Sequence, residues 1–308
     1  MGPFDTKFPA RHLFSATARD LGDHSLAFDG PLGRRSVSRC SGGDFKGDRV
    51  AGAVVADLSN EWRVGATGST ELVEGLVTLS TDDGGTILMT YRGRRSARYG
   101  AETYRAGVTL EADGEAVDWL NDVHSVAYLR VQGADLQLDV YELLGKPAED
   151  GTLLDVEPLY SMDGKGTVGK RYKVRGPVAD RYLTMAEQGC LTEGAISGTW
   201  VEGFSWGPHR MARTGSTTDW QLQTSFPWHI DMRVVMRTGD DIPVVQQYLG
   251  SNSREMVSSD PDADRSWRTT ALFETATTGP LSWLNEIVAV GVGWQESREA
   301  HYLYYTLA

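Results

Sequence analysis

The stretch ELVEGLVTLSTDDGGTILMTYR, residues 71–92, decides the fold. Two runs rich in Val, Leu and Thr, Glu71 to Ser80 and Thr86 to Arg92, flank Thr81-Asp82-Asp83-Gly84-Gly85. Such runs read as strands, and the Asp-Gly pair supplies the positive φ angles of a tight reversal, so the stretch is a β-hairpin. Further along, Leu136 to Leu143, Met232 to Arg237 and Tyr302 to Leu307 have the same character. Leu136, Leu138 and Val140 alternate with Gln137, Asp139 and Tyr141, a period of two that gives the strand one apolar face. Long helical periodicity is nearly absent. Many short strands at this spacing predict a closed or nearly closed antiparallel barrel, which removes sheet edges and holds one ligand at most.

The hairpin is written twice. Thr81, Tyr91 and Gly93 fall on Thr238, Tyr248 and Gly250 at a constant offset, Glu74 falls on Asp231, and the second turn reads Thr238-Gly239-Asp240-Asp241. Residues 119–143 overlie 283–307 without a gap, bringing Trp119, Leu120 and Asn121 onto Trp283, Leu284 and Asn285. Val126, Tyr141 and Leu143 land on Val290, Tyr305 and Leu307 in the same alignment. Upstream, Arg63 meets Arg210, and Pro31, Arg35 and Gly43 meet Pro177, Arg181 and Gly189, with offset changes where loops gain residues. A repeat of this length is a whole domain rather than a solenoid unit. The expected fold is therefore all-β: two tandem antiparallel β-barrels forming an intramolecular pseudo-dimer. The first occupies residues 1–146 and the second, Trp-rich, residues 147–308, with the linker near 144–158.

Forty percent apolar residues, 35 glycines and 23% charged residues place the 308-residue chain among soluble globular proteins, with enough length for a core in each half. The net charge of −12 is spread over both halves and leaves no basic footprint for nucleic acid. No apolar run approaches the ~18 residues that span a bilayer, and no signal pattern opens the chain, so a cytoplasmic protein without membrane partners is expected. Cys40 and Cys190 sit at non-equivalent positions of the two copies and read as free, partly buried thiols.

Ser41-Gly42-Gly43-Asp44-Phe45-Lys46-Gly47, the Thr81-Asp82-Asp83-Gly84 hairpin and Trp119-Leu120-Asn121 together resemble the family catalogued as domain of unknown function 3237. The first copy is the better match. The second has Gln188-Gly189-Cys190 in place of the double glycine, and Asp241-Ile242-Pro243 in place of the hairpin glycines. The resemblance implies a β-barrel similar to allene oxide cyclases, with side chains at one mouth lining an apolar pocket. It also implies, for a doubled arrangement, a cyclase of natural-product pathways that adds a hydroxyl across an alkene. It carries no catalytic residue with it.

Candidate site residues come from the chain itself. Phe226-Pro227-Trp228-His229-Ile230-Asp231 brings an aromatic, an imidazole and a carboxylate together, and a strand would put His229, Asp231 and Arg233 on one face. Burial keeps a carboxylic acid protonated near neutrality, so Asp231 is the expected proton donor with His229 as its partner or base. An ion pair between Asp231 and Arg233 is the competing structural reading. Glu74 is the alternative acid if the first barrel carries the pocket.

Tryptophan is concentrated in the second half, and Trp200, Trp206 and Trp228 are candidates for pocket lining, with core filling as the competing reading. The shared Tyr91 and Tyr248 could orient a substrate oxygen or merely pack, while Asn121 and Asn285 are expected to serve the barrel structurally, for instance by bonding a loop backbone. The six histidines lack ligand spacing, and Asp260, Asp262 and Asp264 lack the glycine and glutamate of a calcium loop, so no metal is expected.

The reading that joins these points is a cofactor-independent cyclase or isomerase closing an oxygen heterocycle on a hydrophobic aromatic or prenylated natural product. Acid–base catalysis would be combined with positioning, which alone is worth roughly 7 kcal/mol or more in a well-oriented intramolecular reaction. A lipocalin-like small-molecule carrier is the competing class, and a purely structural pair of barrels the third. Oligomeric state is left open.

Overall fold

The computed structural model describes residues 5–22, 26–31, 33–65, 70–100, 102–145, 148–165, 171–175, 196–199, 211–213, 220–222, 229–237, 242–252, 265–296 and 299–308. Between 161 and 237 the description covers the backbone. The chain divides into a first unit, Ala10–Thr152, and a second, Met1–Pro9 with Leu153–Ala308.

The first unit contains β1 (Lys7–Ala18) from Ala10 onward, β2 (Leu26–Gly30), β3 (Gly33–Arg39), β4 (Gly43–Lys46), β5 (Ala51–Val54) and β6 (Asn60–Gly65). It continues with β7 (Glu71–Thr81), β8 (Thr86–Arg95), β9 (Thr103–Asp113), β10 (His124–Gln132) and β11 (Asp135–Leu143). Antiparallel ladders run β1–β11–β10–β9–β8–β7–β5–β4 and return to β1, a closed ring of eight strands. β7 is long enough to pair twice, through Leu79–Thr81 with β5 and through Glu71–Leu76 with β6. β6 pairs in turn with β3, and β3 with β2, so a three-stranded wall extends one end of the barrel.

The expected hairpin forms as read. Thr81 and Gly85 bracket the turn, with the Gly85 N–H donating to Thr81 Oγ1 at 2.7 Å and Gly84 at φ +89°. Leu136, Leu138 and Val140 face the core, as their alternation predicted. The Ser41–Gly47 motif proves to be the seam that closes the barrel. A Cβ on Gly43 or on Gly47 would stand 1.8 Å from the carbonyl oxygen of Thr17 or Leu13, so only glycine lets β4 lie flat against β1. Phe45, between them, packs edge-on against Phe14 of β1.

In the second unit, ladders run through β12 (Thr152–Lys165), β13 (Arg171–Arg175), β14 (Ile196–Thr199) and β17 (His229–Arg237). They go on through β18 (Pro243–Asn252), β19 (Arg265–Thr275), β20 (Val288–Glu296) and β21 (Glu299–Leu307), which pairs with β12. The short β15 (Met211–Arg213) and β16 (Trp220–Leu222) pair beside β17.

Several registers repeat between the units. Val126 faces Tyr141 across β10–β11, and Val290 faces Tyr305 across β20–β21. Gly75 faces Tyr91 across β7–β8, and Met232 faces Tyr248 across β17–β18. Each Trp-Leu-Asn tripeptide lies in a 3-10 turn, and each asparagine clasps the backbone of the preceding strand. Asn121 accepts from the Ala112 N–H at 2.7 Å and donates to the Ala112 carbonyl, while Asn285 does the same at Thr275. The amides thus serve the scaffold in both units, but through a strand residue rather than the loop backbone expected.

The described interior of the second unit is aromatic. Tyr160, Tyr248, Tyr302, Tyr304, Trp267 and Phe273 are buried together, with Tyr160 donating to Gln246 Oε1 at 2.7 Å. Room for the larger rings comes from β20: a Cβ on Gly293 would stand 1.9 Å from Trp267 Nε1. In the first unit the residue facing Tyr104 across the same pair of strands is Leu129. Exchange of bulk between facing positions is how a core keeps its density.

Candidate active site

The first barrel carries a charged group of side chains inside its extended end. Strand pairing lays them out in rows. Glu61, Gly75, Tyr91 and Val108 face one another across β6, β7, β8 and β9. One step toward the mouth come Arg63, Val73, Gly93 and Ala106, and at the rim Gly65, Glu71, Arg95 and Tyr104. Below Tyr91 the barrel is apolar, with Val77, Leu79, Ile87, Met89 and Leu110 buried. Ser36 and Ser38 of β3 stand opposite Arg63 and Glu61 and are also buried.

Gly75 makes the central contact. A Cβ there would fall 2.0 Å from the Tyr91 ring, so its absence lets the phenol lie across β7 and donate to Glu61 Oε2. Arg63 Nε donates to Glu61 Oε1 at 2.5 Å, and its Nη2 meets the same oxygen. The guanidinium also lies over the Tyr104 ring, 4.8 Å from its centroid. At the rim, Arg95 bonds Glu71 at 3.2 Å and Glu102 at 3.4 Å and sits 5.6 Å from the same ring.

Burial pushes the Glu61 carboxyl above the ordinary carboxylate range, because loss of solvent outweighs the opposing pull of Arg63 and of the Tyr91 hydrogen bond. The same desolvation drives the Tyr91 and Tyr104 phenols upward, so both stay neutral at physiological pH. Arg63 is raised despite its own burial, since Glu61 stands beside it. A carboxyl that can hold a proton, a cation ready to stabilise its conjugate base, and a phenol bridging to it form a proton-transfer set next to an apolar floor.

Of the residues singled out from sequence, Tyr91 lies in this group. Glu74, expected as the alternative acid, does not: it is on the outer face of β7, half-exposed and ion-paired with Arg92 Nε at 2.8 Å. The reason is pleat phase, since Gly75 is the position that looks inward. Tyr248 is buried in the second unit, its Oη 3.4 Å from that of Tyr302. His229, Asp231 and Arg233 are in β17, in register with Ser251, Leu249 and Gln247. Asp231 thus faces Leu249 as Glu74 faces Arg92, one step out of the row of the buried tyrosines. Trp200, Trp206, Trp228 and Cys190 lie outside the described residues. Trp119 packs against the first core, with the Arg49 guanidinium 3.8 Å above its ring, and Cys40 is a buried free thiol.

Sequence reading missed Glu61, Arg63 and Tyr104 as site residues. In Asn60-Glu61-Trp62-Arg63-Val64 the hydrophobic rule would turn Trp62 and Val64 inward, yet Trp62 is 47% exposed while Glu61 and Arg63 are at 1% and 2%. An inverted strand is the signal, and it becomes visible only once the face is known. Among the described residues no group of three or more His, Cys, Asp or Glu side chains is placed to hold a metal ion.

Fold and site define a small antiparallel β-barrel with an ion-paired polar mouth over an apolar floor. The family model described as "Protein of unknown function (DUF3237)" matches residues 11–143, which is the first barrel. Among solved structures, a β-barrel-like protein from Acinetobacter baumannii AYE is 20% identical, covering 44% of this chain and 95% of its own, with a TM-score of 0.40. A conserved protein of unknown function from Rhodopseudomonas palustris is 19% identical over 44% of this chain and 97% of its own, TM-score 0.40. An enzyme from Penicillium herquei is 18% identical over 47% of this chain and 100% of its own, TM-score 0.35. The curated proteins contain no match. No helix among the described residues is long and apolar enough to cross a membrane.

Proposed function

We propose that the chain is a tandem duplicate of one barrel and that its first barrel is a cofactor-independent cyclase. The reaction would close an oxygen heterocycle on a hydrophobic aromatic or prenylated compound by adding its hydroxyl across an alkene. The observation that carries this reading is the buried Glu61, hydrogen-bonded by Tyr91 and paired with Arg63 above an apolar floor. Glu61 in its acid form protonates the alkene carbon, the substrate oxygen attacks the carbocation so formed, and the hydroxyl proton returns to the Glu61 carboxylate. The step is an isomerisation, balanced without any co-reactant. Arg63 and Tyr91 bind the carboxylate more strongly than the acid, so their stabilisation grows as charge develops, which is what accelerates a reaction. The duplication is supported by the shared registers and by the two asparagine clasps.

The test is conversion of 2-prenylphenol to 2,2-dimethylchroman by the full chain and by Glu61→Gln. The wild type should cyclise it and the variant, folded by circular dichroism, should not. Retained turnover in Glu61→Gln would remove Glu61 from the chemistry. Saturable binding by a wild type that turns nothing over would favour the carrier reading instead.

A further inference from the structure

Tyr104 is wholly buried, and its Oη has no hydrogen-bond partner among the described residues. A phenylalanine would fill the same space without the penalty of an unmatched buried hydroxyl. The charges around it, by contrast, are matched. Arg63 is paired with Glu61, and Arg95 with Glu71 and Glu102. The unmatched group at this mouth is thus a neutral donor and acceptor, facing guanidiniums already neutralised by carboxylates. An anionic ligand would meet three carboxylates there, whereas an uncharged oxygen would meet a waiting phenol. Of the two guanidiniums over the Tyr104 ring, Arg63 is buried, while the Arg95 side chain is 27% exposed and held by partly exposed ion pairs, which open at little cost.

We infer that Tyr104 Oη is the anchor for an uncharged oxygen, a hydroxyl or carbonyl, on an otherwise apolar aromatic ligand, and that Arg95 swings aside to admit it. This assigns a substrate class to the site and rests on the reading of this mouth as the place of reaction. Tyr104 is a binding and positioning residue; proton transfer stays with Glu61.

The experiment is calorimetric titration of the full chain with 1-naphthol, naphthalene and 1-naphthoate. Wild type is expected to bind 1-naphthol at least roughly tenfold more tightly than either analogue, the worth of one good hydrogen bond. Tyr104→Phe should lose that preference while keeping its affinity for naphthalene and a thermal midpoint no lower than that of wild type, the unmatched hydroxyl being gone. Arg95→Ala should speed 1-naphthol association several-fold in stopped flow. Equal affinity of the wild type for all three probes, a preference for 1-naphthoate, or an unchanged 1-naphthol preference in Tyr104→Phe would overturn the anchor. Unchanged association in Arg95→Ala would overturn the movement of Arg95. The chemistry is judged separately: a Glu61→Gln variant that still cyclises 2-prenylphenol would sink the reaction while leaving the anchor standing, whereas a Tyr104→Phe variant that keeps the 1-naphthol preference would sink the anchor while leaving the reaction standing.

Discussion

Tyr91 hydrogen-bonds Glu61 across an intervening strand, over the bare backbone of Gly75. Tyr91 and Glu61 lie thirty positions apart in sequence, yet each faces Gly75 directly in its own ladder. The contact therefore depends on three strands being in register at once, and on the middle one contributing no side chain.

Glu61→Gln should lower cyclisation by about a hundredfold or more, the usual loss when a positioned acid or base is removed. Its counterpart on the outer face, Glu74→Gln, loses a half-exposed pair with Arg92 and should leave turnover unchanged. Parallel rate measurements on the two variants separate a buried acid from a surface one. Equal loss in both would mean that the interior face has been misassigned.

Gly75→Ala puts a methyl group where the Tyr91 ring lies, 2.0 Å away. Overpacking of this kind typically costs about 1–3 kcal/mol, which denaturant titration would read. Tyr91 must leave Glu61 to relieve it, so activity should fall with stability. Full activity in Tyr91→Phe, which keeps the ring and removes only the hydroxyl, would show that the phenol is dispensable.

Stability should respond to pH through Glu61. Its folded pKa is raised above the ordinary value of 4.5, so in the window between the two values the native state binds more protons than the unfolded chain. The contribution is fully present below 4.5 and is lost as pH rises through the folded pKa. Thermal midpoints of wild type should therefore fall relative to those of Glu61→Gln as pH climbs out of the acid range. A difference between the two that widens in favour of wild type over that range would show that the Arg63 pairing, rather than burial, governs the carboxyl.

Asn121→Ala and Asn285→Ala each remove an amide that satisfies both the N–H and the carbonyl of one strand residue. Each should destabilise its own unit by roughly 1 kcal/mol, since partly buried backbone groups lose their partner. Differential scanning calorimetry that finds the two losses comparable would support duplication of one barrel. A negligible effect of Asn285→Ala would show that only the first unit depends on the clasp.

The sequence by itself determined the elements and the scaffold contacts. The hairpin at residues 81–85, the alternation of Leu136, Leu138 and Val140, and the structural duty of the paired Asn121 and Asn285 were legible because each is encoded locally, by turn chemistry, by a period of two, or by a repeated tripeptide, although the asparagines' partner proved to be a strand rather than a loop. What tertiary structure alone decided was phase and convergence. A strand of alternating residues does not say which face is inner, and in β6 the cue was inverted, with Trp62 outside and Glu61 and Arg63 within. Glu74 was misplaced by one step for the same reason, its neighbour Gly75 being the inward position. The site draws on β3, β6, β7, β8 and β9, and only the pairing of these five strands in register brings Ser38, Glu61, Tyr91 and Tyr104 together. Long-range pairing selects that arrangement, because burying an Arg–Glu pair is tolerable only where each charge meets the other and a hydrogen-bonding neighbour, a condition that no single strand can satisfy.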